Sequence, residues 1–214
     1  MVRVFHKPTL TFHLPGSVHP PLLLIGPGTG VAPFVSFLEH RMEIAKERQK
    51  NRGGELISSG VWRGGFELEG DCDLPCEGNE VNRFIHSVLP GPIFLFYGCR
   101  NEHDYLFQER LSYFSRHKIL TSLSVAFSRP APPREKQYVT HMLQRKREEI
   151  SCLIVEENAS IYICGDGNHM AKDVQQTLKE ILTETYPDNP LLQDINSYWN
   201  DLRTRRRLLL DIWS

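Results

Sequence analysis

Apolar residues in this chain fall into short solid blocks separated by longer stretches in which they recur every three or four positions. Leu22-Leu23-Leu24-Ile25, Ile93-Phe94-Leu95-Phe96-Tyr97 and Ile161-Tyr162-Ile163-Cys164 are too short for helices and read as buried strands, and Leu120 to Phe127 alternates as a further strand. Between them, Val35, Leu38, Met42 and Ala45, then Leu106, Phe107, Leu111 and Phe114, then Val139, Met142, Leu143, Ile150, Leu153 and Ile154 lie at helical spacing. This spacing predicts helices over about 33–49, 104–117 and 137–157, with another from Met170 to Tyr186 that Pro187 and Pro190 end. Residues 191–206 can form a last helix, and Leu208-Leu209-Leu210 a fifth strand. Strands that alternate with helices define an α/β fold, a parallel five-stranded sheet with helices on both faces.

Two segments stand outside that alternation. Residues 2–20 alternate only weakly and carry Pro8, Pro15, Pro20 and Pro21, which suits an edge strand and linker rather than a core element. Residues from about 51 to 90 are glycine-rich without sustained periodicity, an insertion in a domain that otherwise runs from 21 to 214. Cys72 and Cys76 lie in the insertion, but two cysteines with neither a second pair nor nearby histidines make a poor zinc site, so no metal is expected.

Composition narrows the classes further. With 25 basic and 26 acidic residues the net charge is -1, so no field over the whole chain points to nucleic acid or a membrane surface. No apolar run approaches the ~20 residues of a membrane-spanning helix. The five cysteines are odd in number and irregularly spaced, which suits a reducing compartment such as the cytoplasm better than a disulfide framework.

Candidate chemistry collects where strands end. Leu22–Ile25 runs into Gly26-Pro27-Gly28-Thr29-Gly30 and then a helix, a strand–loop–helix arrangement in which glycines let the backbone approach an anion and the helix start offers free N–H groups. Gly28 and Thr29 are therefore candidates for a phosphate cradle, although the stretch has neither a G-x-G-x-x-G spacing nor a P-loop lysine. Gly98-Cys99-Arg100, Ser128-Arg129 and Cys164-Gly165-Asp166 leave other strands at the same edge, where ligands bind in open α/β sheets. Ser128, Arg129, Arg134, Lys136 and Tyr138 suit a phosphate monoester beside an aromatic ring, such as an adenosine 2′-phosphate, or else form a solvated basic turn. Cys164 at a strand end is either packing or part of a site. Trp213, one residue from the C-terminus, needs cover, as a core anchor or as a ring stacked on a flat cofactor.

These residues, in this order, resemble the NADPH-binding domains of the diflavin reductases. The motifs are Gly26–Phe34, Tyr97-Gly98-Cys99-Arg100, Asp104-Tyr105-Leu106-Phe107, Ser128-Arg129, Lys136-Gln137-Tyr138-Val139, Cys164-Gly165-Asp166 with Met170–Val174, and Asp211-Ile212-Trp213-Ser214. The resemblance covers residues 2–50 and 91–214 and implies a ferredoxin–NADP-reductase-like nucleotide domain. It implies that Gly28, Thr29 and Arg100 meet the pyrophosphate, and that Ser128, Arg129, Lys136 and Tyr138 hold the 2′-phosphate and adenine with Val139 and Thr140 beside them. Asp173 would contact the nucleotide, Cys164 and Asp211 would line the hydride path, and Trp213 would stack on the flavin until nicotinamide displaces it.

On the same footing, electrons would pass from NADPH to FAD and FMN, the flavins being held mainly by domains absent from this chain, with residues 1–20 ending the FAD domain. Thr11–Pro15, Phe37–Arg41, Ile119–Thr121, Ala171–Val174 and Leu210–Ser214 are most similar to the branch that reactivates cobalamin-dependent methionine synthase. The branch that serves cytochromes P450 shares the core motifs, and an NADP-binding fragment without catalysis is a further alternative.

Overall fold

The computed structural model describes residues 11–51, 90–130 and 135–213. The insertion from 52 to 89, with its cysteine pair, and Arg134 lie outside the described residues. Five strands, β1 (Leu22–Ile25), β2 (Ile93–Cys99), β3 (Ser122–Phe127), β4 (Ser160–Asp166) and β5 (Leu208–Trp213), form one sheet in the order β3-β2-β1-β4-β5, every pair parallel. The described helices are α1 (Ala32–Asn51), α2 (Gln108–Arg116), α3 (Val139–Arg145), α4 (Arg147–Val155), α5 (Met170–Thr185) and α6 (Ile195–Thr204). The fold is therefore the α/β sheet with helices on both faces that the sequence pattern predicts, of the ferredoxin–NADP-reductase type.

The pleat sorts each strand's residues between two cores. Leu23, Ile25, Phe94, Phe96, Ile161 and Ile163 face α3 to α6, where Leu143, Ile150, Val174, Leu178, Ile181 and Trp199 cover them. Leu22, Leu24, Leu95, Tyr97, Tyr162 and Cys164 face the other way, under Phe34 and Leu38 of α1 and Leu111 and Phe114 of α2. All four residues of β1 are buried, because the strand lies between two neighbours and beneath helices on both sides. Chain order reverses direction at β1: β2 and β3 lie to one side, β4 and β5 to the other. The loops after β1 and β4 consequently diverge and leave a crevice at the C-terminal edge of the sheet.

Several sequence expectations are corrected. The span 137–157 is two helices, not one. Gln137 and Tyr138 are extended, and Lys146 leaves helical geometry between α3 and α4 to reach Ser122 Oγ at 2.9 Å, Glu149 Oε2 at 3.1 Å and the face of Phe94. Helix α2 begins at Gln108 rather than 104, because Asn101 caps a short 3-10 turn at Glu102–Asp104 and Phe107 takes a left-handed conformation, φ 56°. Residues 2–10 of the expected edge strand and linker lie outside the described residues; residues 11–20 contain no strand, yet they are more than a linker. Phe12 is buried against the rings of Phe34, Phe37 and Tyr162, the Tyr162 hydroxyl donates to His13 O at 2.9 Å, and Arg41 donates to Val18 O. Strands β4 and β5 extend past their apolar cores as far as Asp166 and Trp213.

Candidate nucleotide-binding site

Tight backbone packing builds the first wall. Gly30 lies against β4 so closely that a Cβ there would come within 2.1 Å of Cys164 O, so only hydrogen fits. Gly28 has φ +59°, a conformation that L side chains rarely adopt, and the space where its side chain would be is open. Residues Gly28–Val31 form a short 3-10 turn that runs directly into α1, and no side chain caps its start at Pro27. The N–H groups that lead such a turn have no partner within it, and Thr29 among them is exposed.

The second wall comes from the loops after β2 and β3. Ser128 N donates to Cys99 O at 2.9 Å and Arg129 N to Arg100 O at 2.6 Å, which couples the two loops. The chain then returns, with Gln137 N bonded to Phe127 O at 2.9 Å. The loop that follows β2 is fixed from beneath: the buried Tyr97 hydroxyl donates to Asp104 O and accepts from Leu106 N, at 3.2 and 3.0 Å, while Asn101 Oδ1 accepts from His103 N and Asp104 N. Burial pushes the Tyr97 phenol up to about 12, so it remains a donor at any physiological pH.

The walls enclose an open cleft of about 720 Å³, within the usual size of small-molecule sites. Of the sequence candidates, Gly28, Thr29, Arg100, Ser128, Tyr138, Val139, Thr140 and Asp173 line it. Arg129 and Lys136 are exposed and stand one residue from the lining positions Ser128 and Gln137. Cys164, Asp211 and Trp213 are not in its lining; they lie along β4 and β5, where the register pairs Cys164 with Asp211 and the lining residue Asp166 with Trp213. His103 and His169 line the cleft without having been singled out, since neither periodicity nor a glycine flags a residue brought there by a turn or a helix start, and Leu106 and Met170, named in the sequence motifs without a role, line it as well.

Cys164 is buried, and its Sγ lies 3.9 Å from Asp211 Oδ2. Burial first, and the Asp211 charge second, push its thiol up to about 12. Cys164 is thus a neutral thiol that donates toward a carboxylate, not a thiolate nucleophile. Burial raises Cys99 to about 11. Both folded-state values exceed the ordinary 9.0 of the unfolded chain, so the native state keeps protons that the unfolded chain loses, and stability declines as pH rises above 9. Urea unfolding should show a loss of roughly 1 kcal/mol per buried thiol by pH 10, and Cys164→Ala should make the decline shallower; an unchanged slope would contradict the burial argument.

Trp213 is not a core anchor. Its carbonyl is fixed by Gly167 N at 2.7 Å, but the side chain is 46% exposed beside Ile212 at 44%. A held backbone with an open indole face suits a flat ring partner. The nucleotide also fits the cleft, in volume, in the uncapped amides at Gly28–Thr29, and in the cationic and hydroxyl groups beyond Ser128.

A family model described as "Oxidoreductase NAD-binding domain" matches residues 75–176. The chain is 34% identical over its whole length to methionine synthase reductase of Rattus norvegicus and 32% identical to that of Homo sapiens, spanning 26% of each. It is 37% identical over 95% of its length to NADPH–cytochrome P450 reductase of Sus scrofa, spanning 24% of that protein. The chain thus covers about a quarter of the curated relatives it matches. These similarities support an NADPH-binding oxidoreductase domain of the diflavin reductase family.

Proposed function

We propose that this chain is the part of a methionine synthase reductase-like enzyme that takes up NADPH and presents it to FAD, from which electrons pass to FMN and then to methionine synthase to reactivate its cobalamin. The observation that carries the reading is the convergence of Gly28, Thr29, Arg100, Ser128, Tyr138, Val139, Thr140 and Asp173 on one cleft at the C-terminal edge of the sheet. Similarity over the full chain to methionine synthase reductases supports the acceptor, and a cytoplasmic site of action is consistent with it. Identity of 37% to a P450 reductase supports a second reading, in which a cytochrome P450 is the acceptor.

When bound, NADPH and FAD supply the hydride chemistry, and the protein's share is positioning and exclusion of water. Gly28, Thr29 and Arg100 hold the pyrophosphate, while Ser128, Arg129, Lys136 and Tyr138 hold the 2′-phosphate and adenine. Val139 and Thr140 pack beside them, and Asp173 contacts the nucleotide. Cys164 and Asp211 line the approach to the flavin with a neutral thiol and its acceptor, and Trp213 covers the flavin face.

Calorimetric titration of the chain with NADP⁺ and NAD⁺ tests the nucleotide assignment: saturable NADP⁺ binding with NAD⁺ much weaker is expected, and no binding of either would end it. The acceptor is tested in the whole reductase, by reactivation of methionine synthase against reduction of a cytochrome P450. In that enzyme Trp213→Ala should shift preference from NADPH toward NADH by on the order of tenfold, about 1.4 kcal/mol, because nicotinamide no longer competes with the indole. Unchanged discrimination in steady-state kinetics would remove the stacking role.

A further inference from the structure

Tyr138 is the only phenylalanine, tyrosine or tryptophan among the described lining residues of the cleft, and it is 50% exposed. A side chain so open can change rotamer, and a ring that is fixed only when the ligand arrives gives up that freedom at the expense of affinity. The backbone beneath it is already held. Tyr138 is extended, with φ -117° and ψ 163°, and its carbonyl accepts from His141 N and Met142 N at 3.0 and 3.3 Å. Val139 beside it is buried against Gly98, where a Cβ would come within 3.1 Å of Val139 Cγ1.

His141, the third residue of α3, holds Tyr138 in two ways. Its Nδ1 accepts from Tyr138 N at 3.3 Å, and its ring meets the Tyr138 ring edge to face, with centroids 5.6 Å apart and planes at 68°. His141 is exposed and is not among the residues that line the cleft, so it reaches the tyrosine rather than the ligand space. The hydrogen bond alone does not call for histidine, because glutamate or glutamine at the third helical position closes a helix start in the same way. The ring contact is what histidine adds.

We propose that His141 is a positioning residue whose ring holds the Tyr138 phenol in the orientation that stacks on adenine. The inference rests on the reading above in which Tyr138 holds the adenine. Edge-to-face ring pairs at this separation contribute beyond their buried area, and here the contribution favours one orientation of a half-exposed ring before the nucleotide arrives.

The test is calorimetric titration of the chain with NADP⁺ for His141→Gln, His141→Phe, Tyr138→Ala and the double variant Tyr138→Ala/His141→Gln. Glutamine keeps an acceptor for Tyr138 N without the ring, and phenylalanine keeps a ring without the acceptor. His141 is exposed, so neither substitution disturbs the core. His141→Gln should weaken binding about three- to tenfold, the scale of one aromatic pair, while His141→Phe stays within about twofold of wild type. Tyr138→Ala should weaken it about tenfold or more through the lost stacking, and adding His141→Gln to that variant should change nothing further. A glutamine variant that binds like wild type, or a phenylalanine variant as weak as the glutamine one, overturns the positioning role. A glutamine loss that persists in the Tyr138→Ala background overturns it too, since it would belong to the helix start and not to the ring. Tyr138→Ala with wild-type affinity removes the adenine assignment and this inference with it, and wild-type chain that does not bind NADP⁺ removes the nucleotide reading itself.

Discussion

Replacing Arg129 and Lys136 together with alanine should weaken NADP⁺ binding about a hundredfold or more while changing NAD⁺ binding by less than about threefold. Each side chain is exposed beside a lining position, and the Gln137–Phe127 backbone bond draws the two positions toward each other. Hydrogen bonds to a charged group contribute about 1.5–3 kcal/mol each, and two of them at the lower figure exceed the 2.7 kcal/mol of a hundredfold change. The selectivity is the informative part, because NAD⁺ has no 2′-phosphate to lose. Equal losses for the two nucleotides in parallel titrations would mean that the turn is basic only as a solvated surface.

Gly30→Ala should cost more than about 3 kcal/mol of stability and abolish measurable nucleotide binding. The new Cβ would lie 2.1 Å from Cys164 O and 2.8 Å from its carbonyl carbon, both backbone atoms of a buried strand, so relief requires moving β4 or the turn. Overpacking a core with a flexible neighbour typically costs 1–3 kcal/mol, and here no flexible neighbour exists. Gly28→Ala provides the contrast. Nothing lies within 4 Å of that position, but its φ of +59° strains any L residue, so a loss of about 1–2 kcal/mol is expected with the fold retained. Denaturant midpoints for the two variants would separate close approach from conformation, and similar losses would contradict the distinction.

The alternation of strand and helix was legible because β1 and β2 are buried on both faces and so consist almost entirely of apolar residues. Element ends were not, because they depend on single residues whose partners are remote in sequence. Lys146 interrupts a continuous helical pattern through contacts with Ser122 and Phe94 on neighbouring strands, and Phe107 starts α2 late through a backbone conformation its side chain does not announce. The site divides in the same way. Gly28 and Gly30 advertise themselves, since glycine clusters after a strand have few other uses. His103 and His169 do not, because their position on opposite walls arises from the sheet order, which brings the ends of β2 and β4 to either side of β1.

The hydroxyl of Tyr97 has a thermodynamic consequence for the ligand. By bonding both Asp104 O and Leu106 N from inside the core, and by keeping its proton, it anchors the wall after β2 to the sheet before any nucleotide arrives. Binding then has little backbone disorder to remove at that wall, so more of the contact energy survives as affinity. The entropy of ordering this loop is charged to folding, once, rather than to each turnover of NADPH.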